Sequence, residues 1–308
     1  SNVHNKMNIV PVMELDKVIL PFLIILRVFS LCSYNSLTIS YQELYHHQKY
    51  IHKVEGVLNQ IGFKELLFTK VKEAEMAKLV CNAWRDFTFS FSNEISMIGE
   101  ALQIDIFDVI RVSNYKYDRA QIPKPGPVGG PCLSKDSYIL FDKLEDEIVT
   151  RSAIKKAREL NEGFENFLFD LIMNQIKNKE FDQVIVCGIP FKGNPLTNDT
   201  RSSFGYNLYS LLNAANNEFV KIFEPKQVRE ILNDSTIPII DKIDIGKSSL
   251  IVIANNANYW ATEEFSATLN DLNSESLIIS SFRVMLNLNR LNKNSAIPLR
   301  YRSIGSRI

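Results

Sequence analysis

The chain has 308 residues, and its 35 Lys and Arg balance 35 Asp and Glu. A neutral chain lacks the basic excess of a nucleic-acid or membrane-surface binder. With 45% hydrophobic residues it can bury sizeable cores, and its length suggests about two domains. The four cysteines (Cys32, Cys81, Cys132 and Cys187) are scattered with no CxxC pair, which fits free thiols in a reducing cytoplasm.

Residues 1–70 carry the least pattern. The most apolar run, Val18 to Leu26, is interrupted by Pro21 and bounded by Lys17 and Arg27. It is too short to span a bilayer, and Glu14 and Asp16 before it are wrong for a signal peptide. It reads as a buried strand or helix. Gln42 to Ile61 reads as a helix. It carries His46, His47 and His52, whose spacing does not put all three on one face, so a solvated surface is the reading and no metal is expected. No GxGxxG occurs anywhere in the chain.

Residues 72–103 predict one long helix, with apolar residues at helical spacing at Met76, Leu79, Val80, Ala83, Phe87, Phe91 and Ile95. Lys78 and Asn82 share a face at i and i+4. They are either part of a polar surface stripe or a pair aimed into a cleft. Asn93 is mildly unfavourable in mid-helix and calls for a reason. Residues 104–120 predict a short helix ending in a turn.

The stretch that organises the chain is 124–140, KPGPVGGPCLSKDSYIL. Its Gly and Pro content predicts a tight loop that brings backbone close to a neighbour. Gly126, Gly129 and Gly130 permit the approach, while Pro125, Pro127 and Pro131 stiffen the loop and hold Cys132. A thiol followed by Lys135 and Asp136 is a plausible activated nucleophile. The alternative is a structural loop with an inert cysteine.

Residues 137–178 predict helix again, with an apolar stripe that can pack on the first long helix, giving an all-α unit from about 70 to 178. Strands then alternate with helices: 183–189, 218–225, 248–256 and 276–281, with helices near 203–216, after 225, and around Glu263 to Leu272. This predicts a doubly wound parallel sheet, with ligand beyond the carboxyl ends of its strands. The loop after the first of these strands carries Lys192 and Arg201, residue types that suit phosphate. An ordinary charged surface loop is the alternative.

Three separated stretches resemble one family in order and rough spacing. AEMAKLVCNAW with NEISMIGEALQID resembles the central helix of the UDP-glucose/GDP-mannose dehydrogenase family. GPVGGPCLSKD resembles its catalytic Cys loop, and GIPFKGNPLTNDTRSS the start of its C-terminal UDP-binding domain. The resemblance covers about 70–308. It implies NAD-dependent oxidation of the C6 hydroxyl of a nucleotide sugar to a uronic acid, for polysaccharide precursor synthesis, through a thioester on Cys132. Lys78 and Asn82 would stabilise the oxyanion and position water, and Asp136 would help activate that water. Lys192, Arg201, Arg119, Gly129, Gly130 and Arg283 would contact the substrate, and Lys135 the cofactor.

The resemblance further implies a homodimer built on the central helix, while the charge balance and cysteine usage lead to the expectation of a cytoplasmic chain with no nucleic-acid or membrane partner. It implies three parts: 1–70 a reduced cofactor segment, 71–178 a helical central domain, and 179–308 a nucleotide-sugar-binding Rossmann-like α/β domain. The family's first domain carries a glycine fingerprint that this chain lacks. Pro127 replaces a frequent Gly, and Ser281 stands where an Asp often precedes the late Arg. A non-catalytic nucleotide-sugar-binding paralogue, or a fragment without the NAD domain, is the second reading. A β-hydroxyacid-type dehydrogenase is a third, which leaves Cys132 and the sheet without a role.

Overall fold

A computed structural model describes residues 29–30, 36–40, 56, 59–60, 65–69, 71–215, 219–232, 237–270, 272–282 and 300–303. The apolar run Val18 to Leu26, the three histidines, most of the helix expected over Gln42 to Ile61, and Arg283 lie outside them. The chain divides into two compact units, Ser1–Cys81 and Asn82–Ile308. The first holds a three-stranded sheet of β1 (Phe29–Ser30), β2 (Ser36–Ser40) and β3 (Glu65–Thr69). In it β2 runs parallel to β3 and antiparallel to β1. Helix α1 (Val71–Leu102) follows, and the division between the units falls within it.

In the second unit α1 is polar where it is buried. Asn82, Asp86, Ser90, Ser92, Asn93 and Ser96 are all buried, while Trp84, Phe91, Ile98 and Leu102 are exposed. The serines satisfy themselves by donating to carbonyls three residues back, as Ser90 does to Phe87 at 2.8 Å and Ser96 to Asn93 at 2.7 Å. Next comes α2 (Ile106–Asn114), capped by Asp105, whose side chain accepts from the N–H groups of Phe107 and Asp108. Asn114 then closes the following turn, exchanging hydrogen bonds with both backbone groups of Ile122 at 2.8 and 2.9 Å.

The Gly/Pro loop ends sooner than its sequence predicts. Helix α3 (Leu133–Ile139) begins directly after Cys132, because no Gly or Pro follows Pro131 to prevent it. The single helical span expected over 137–178 is broken instead, into α4 (Asp146–Arg151) and α5 (Ala153–Asn178), with Ser152 accepting from the Lys155 N–H as the cap of α5. The apolar stripe of α5 joins the core of the following sheet, and Met97 of α1 packs against the same cluster. Phe164, Leu168 and Ile172 pack on the sheet that follows, and polar residues face α1. Burying each of those side chains is worth about 1.5–3 kcal/mol, so the sheet holds α5 more firmly than a polar seam would.

That sheet comprises β4 (Gln183–Cys187), β5 (Val220–Phe223), β6 (Ile239–Ile240), β7 (Ser249–Ile253), β8 (Leu277–Ser280) and β9 (Arg300–Ser303), in the order β6-β5-β4-β7-β8-β9. Every pairing is parallel. Helices α6 (Phe204–Ala215), α7 (Lys226–Ile231) and α8 (Glu263–Asn270) connect its strands. The central strand alternates between two cores. Val184 and Val186 join α5 and α6, whereas Ile185 and Cys187 face Trp260, Phe265 and Leu269. Two strands escaped the sequence reading: β6 has two residues, and β9 reads RYRS, too charged to stand out as a strand.

Candidate active site

The strand order reverses between β4 and β7, and there the loops leaving the two strands diverge and leave a crevice. Asn255 ties the two loops together. It donates to the Pro190 carbonyl at 3.1 Å and accepts from the Ala257 N–H and the Trp260 indole. A cleft of about 510 Å³ opens at this edge, of a size that suits a small-molecule ligand. Its walls are α1, the Gly/Pro loop, and the loops after β4, β7 and β8. Arg85, Lys124 and Lys192 give it positive charge, Phe89, Phe191 and Phe282 give it flat apolar faces, and Asn194, Asn256 and Asn258 give it amides. Among the described residues no carboxylate lines it.

The glycines of the Cys loop are seated against the sheet's loops. A Cβ on Gly129 would stand 2.0 Å from the Ser202 carbonyl oxygen. Gly130 has φ +91° and lies against the Phe191 ring, where a Cβ would come within 2.6 Å. Cys132 precedes α3 as an exposed free thiol. Asp136, one turn later, is buried and accepts from Asn82 Nδ2 at 2.6 Å and from Lys135 Nζ at 2.5 Å. Lys135 itself remains largely exposed. Lys78 lies on α1 one helical turn before Asn82, within the first unit.

Lys192 lines the cleft with its Nζ 5.4 Å from the centre of the Phe191 ring. Arg201 is exposed and forms a bidentate pair with Asp199, at 2.9 and 2.7 Å. That pair holds the Asp199 carboxyl below the usual carboxylate range and raises Arg201, which is also within electrostatic reach of the Cys132 thiol. Arg119 is exposed in the turn after α2 and does not line the cleft. The structure thus joins Asn82, Asp136 and Lys135 by hydrogen bonds, puts Gly129 and Lys192 on the cleft and Gly130 against Phe191, sets Arg201 within electrostatic reach of Cys132, and leaves Arg119 off the cleft; Cys132 itself is not among the lining residues.

Sequence reasoning missed Arg85, Lys124, Asp86, Arg158 and Asn161. Asp86 is fully buried and accepts from Arg158 at 2.9 Å and Asn161 at 2.8 Å, and burial pushes its carboxyl up while Arg158 pulls it down. A signal existed, since Asp86 follows Asn82 by one helical turn. Asn93, which called for a reason, has one: its side chain accepts the Gly126 N–H at 2.8 Å. Among the described residues no cluster of His, Cys, Asp and Glu could hold a metal, and no helix is long and apolar enough to cross a membrane.

Comparison with known proteins agrees with the fold. Residues 72–163 match the central domain of the UDP-glucose/GDP-mannose dehydrogenase family. The UDP-N-acetyl-D-mannosamine dehydrogenase of Methanocaldococcus jannaschii is 31% identical over 198 residues, 63% of this chain and 43% of that protein. The NDP-N-acetyl-D-galactosaminuronic acid dehydrogenase of Ralstonia nicotianae is 27% identical over 65% of this chain and 51% of its own length. The chain therefore spans about half the length of these relatives. The solved UDP-N-acetyl-mannosamine dehydrogenase of S. aureus shares the fold, with a TM-score of 0.67 at 22% identity, over 88% of this chain and 60% of that one. A UDP-glucose dehydrogenase from Pyrobaculum islandicum does so with a TM-score of 0.63 at 19% identity, over 89% and 60%. On the match of residues 72–163 and on these relatives, this region of the chain is similar to the central domain of the UDP-glucose/GDP-mannose dehydrogenase family.

Proposed function

We propose that the chain binds a nucleotide sugar in the cleft at the carboxyl edge of the sheet and carries the cysteine chemistry of a nucleotide-sugar 6-dehydrogenase. The observation that carries this reading is the cleft itself, with Arg85, Lys124 and Lys192 on its walls, aromatic faces for a base, and no carboxylate among its described lining. A diphosphate between a planar base and a sugar matches that lining. The names of the relatives, which specify UDP-N-acetylmannosamine and an N-acetylgalactosaminuronate, support the same class.

The Cys132 thiolate would add to the C6 aldehyde of the bound sugar. A C–S bond forms, the carbonyl electron pair moves to oxygen, and that oxygen takes a proton. By resemblance, Lys78 and Asn82 would stabilise the oxyanion. Turning the resulting thiohemiacetal into a thioester would require a hydride acceptor to take the C6 hydride; water would then add to the thioester carbon and the C–S bond would break, releasing the thiolate and the carboxylic acid. By resemblance Asp136, which accepts from Asn82 and Lys135, would orient and deprotonate that water. By resemblance Arg201 would hold the nucleotide end, Arg119 and Arg283 would contact substrate, and Lys135 would face the cofactor.

NAD is the hydride acceptor that the resemblance supplies. The residues present do not fit it, because the chain carries no GxGxxG and the described parts of β1–β3 build no glycine turn for a pyrophosphate. The chemistry assigned to this chain's residues therefore stops short of hydride transfer. The same observation favours a second reading, a nucleotide-sugar-binding module without the cofactor half. The free thiols support a reducing cytoplasm, and the exposed apolar face of α1 supports a homodimer.

Calorimetric titration with UDP-N-acetylmannosamine and UDP-glucose, each with and without NAD, tests both readings. Binding of a UDP-sugar that Lys192→Ala weakens about tenfold is the expected result. No binding of either sugar, or binding indifferent to Lys192→Ala, would overturn the site. Among outcomes with sugar bound, loss of the Cys132 thiol's reaction with a thiol reagent on adding the C6 aldehyde of that sugar, an addition that needs no oxidant, selects the cysteine chemistry, and an unchanged thiol selects the binding module.

A further inference from the structure

Both ends of the Cys loop are tied to one buried chain of hydrogen bonds. At its start, the Gly126 N–H donates to Asn93 Oδ1 at 2.8 Å. Asn93 Nδ2 donates to Asn161 Oδ1 at 2.9 Å. Asn161 Nδ2 donates to Asp86, to the side chain at 2.8 Å and to the backbone carbonyl at 2.9 Å. Asp86 Oδ1 accepts from Arg158 Nη1 at 2.9 Å, and the same nitrogen reaches the carbonyl of Leu133, the residue after Cys132, at 3.2 Å. Asp86 Oδ2 accepts from Ser137 of α3 at 3.3 Å. All of these polar side chains are 2% exposed or less.

None of the side chains of Asn93, Asn161, Asp86, Arg158 and Ser137 lines the cleft, yet Gly126 and Leu133, which they hold, both do. A buried ion pair is an uncertain source of stability, since apolar residues of similar volume often serve as well. It is a source of fixed geometry where its polar atoms have set partners, as Asp86 and Arg158 Nη1 do here, although Arg158 Nε donates no hydrogen bond and lies 3.4 Å from Glu162. The pair here is shared between a helix, a loop end and a second helix, so its partners fix positions along three separate elements.

We propose that Asn93, Asn161, Asp86 and Arg158 are positioning residues that hold the two ends of the Cys loop at a fixed separation and so hold Cys132 beside the cleft. The proposal rests on the reading of Cys132 as the thiol that meets the sugar. It assigns the four residues no contact with substrate. Their effect passes through the Gly126 N–H and the Leu133 carbonyl.

The test is alkylation of Cys132 by iodoacetamide in the full chain, read at that residue by peptide mass spectrometry, with and without saturating UDP-N-acetylmannosamine. In the unaltered chain the bound sugar is expected to slow alkylation about tenfold. In Arg158→Met and Asn161→Leu, calorimetric affinity for the sugar is expected to stay within about threefold, while protection of Cys132 falls below about twofold. Arg158→Lys, which keeps the positive charge on a shorter side chain, is expected to fall between. Gln183→Leu removes a buried hydrogen bond to Ser249 on the far part of the sheet and is expected to lower stability without touching protection. Should Arg158→Met not fold, Asn93→Ala, which frees only the Gly126 end, decides on the same readout. Full protection in the folded variants would overturn the positioning role alone. An unaltered chain that binds the sugar without protecting Cys132 would remove the Cys132 reading, and the positioning role with it.

Discussion

Gly129 has no room for a side chain. A methyl there would press on the Ser202 backbone oxygen, which cannot swing aside as a flexible side chain could. Gly129→Ala should therefore cost several kcal/mol, on the order of 2–4, and lower the urea midpoint; an unchanged midpoint would show that the loop yields. Glu224 makes a second prediction. Its carboxylate is buried and accepts from the backbone N–H groups of Gly188 and Ile189, and burial pushes its pKa from 4.5 to about 7. The folded chain then binds this proton more tightly than the unfolded one. The Glu224 contribution is fully present below about pH 4.5 and is lost as pH rises through about 7, a change worth roughly 3 kcal/mol. Glu224→Gln should flatten the dependence of unfolding free energy on pH across that window, and an equally steep dependence would rule Glu224 out as its source. At this scale the sequence was legible where backbone geometry narrows the choice of residue, as at Gly129 and Gly130. It was not legible at Asp86 and Arg158, which are 72 positions apart and look like surface charges until α1 and α5 are brought together.

Among the elements, α1 shows why period and orientation are different pieces of information. The helical spacing from Met76 to Ile95 predicted the helix, and the helix is there. Yet Met76, Val80 and Phe91 face outward, and the buried face carries Asn82, Asp86 and Asn93. Periodicity gives a stripe; it does not say whether that stripe meets the chain's own core or another surface. An exposed row of large apolar residues on α1, continued by Val109, Val112 and Tyr115 in and just after α2, is the kind of face a second copy covers. Sedimentation equilibrium should find a dimer, and Phe91→Glu with Ile98→Glu should shift it to monomer by at least about 100-fold in dissociation constant. A monomeric unaltered chain at micromolar concentration would refute the homodimer.

For the whole molecule, the alternation of strand and helix after Lys179 was enough to give a parallel sheet and to draw attention to its carboxyl edge, where a cleft lies. Four strands were visible as apolar runs, and the charged β9 and two-residue β6 were not, since pairing rather than composition makes them strands. The missing glycine fingerprint was also legible, and it makes a prediction about the whole chain. NAD should give no heat on titration, alone or with UDP-sugar present; a clear binding isotherm would mean that residues 1–70 build a dinucleotide site of another kind.

The seats of Gly126, Gly129 and Gly130 on Phe282, Ser202 and Phe191 have a mechanical consequence. Three glycines in five residues mesh with loops from two different strands, as the teeth of one wheel mesh with another. The loop cannot slide across the sheet's edge without disengaging all of them, so any opening of the cleft must hinge elsewhere. Displacements of the β4 and β8 loops are passed to the thiol by direct contact, with no slack between them.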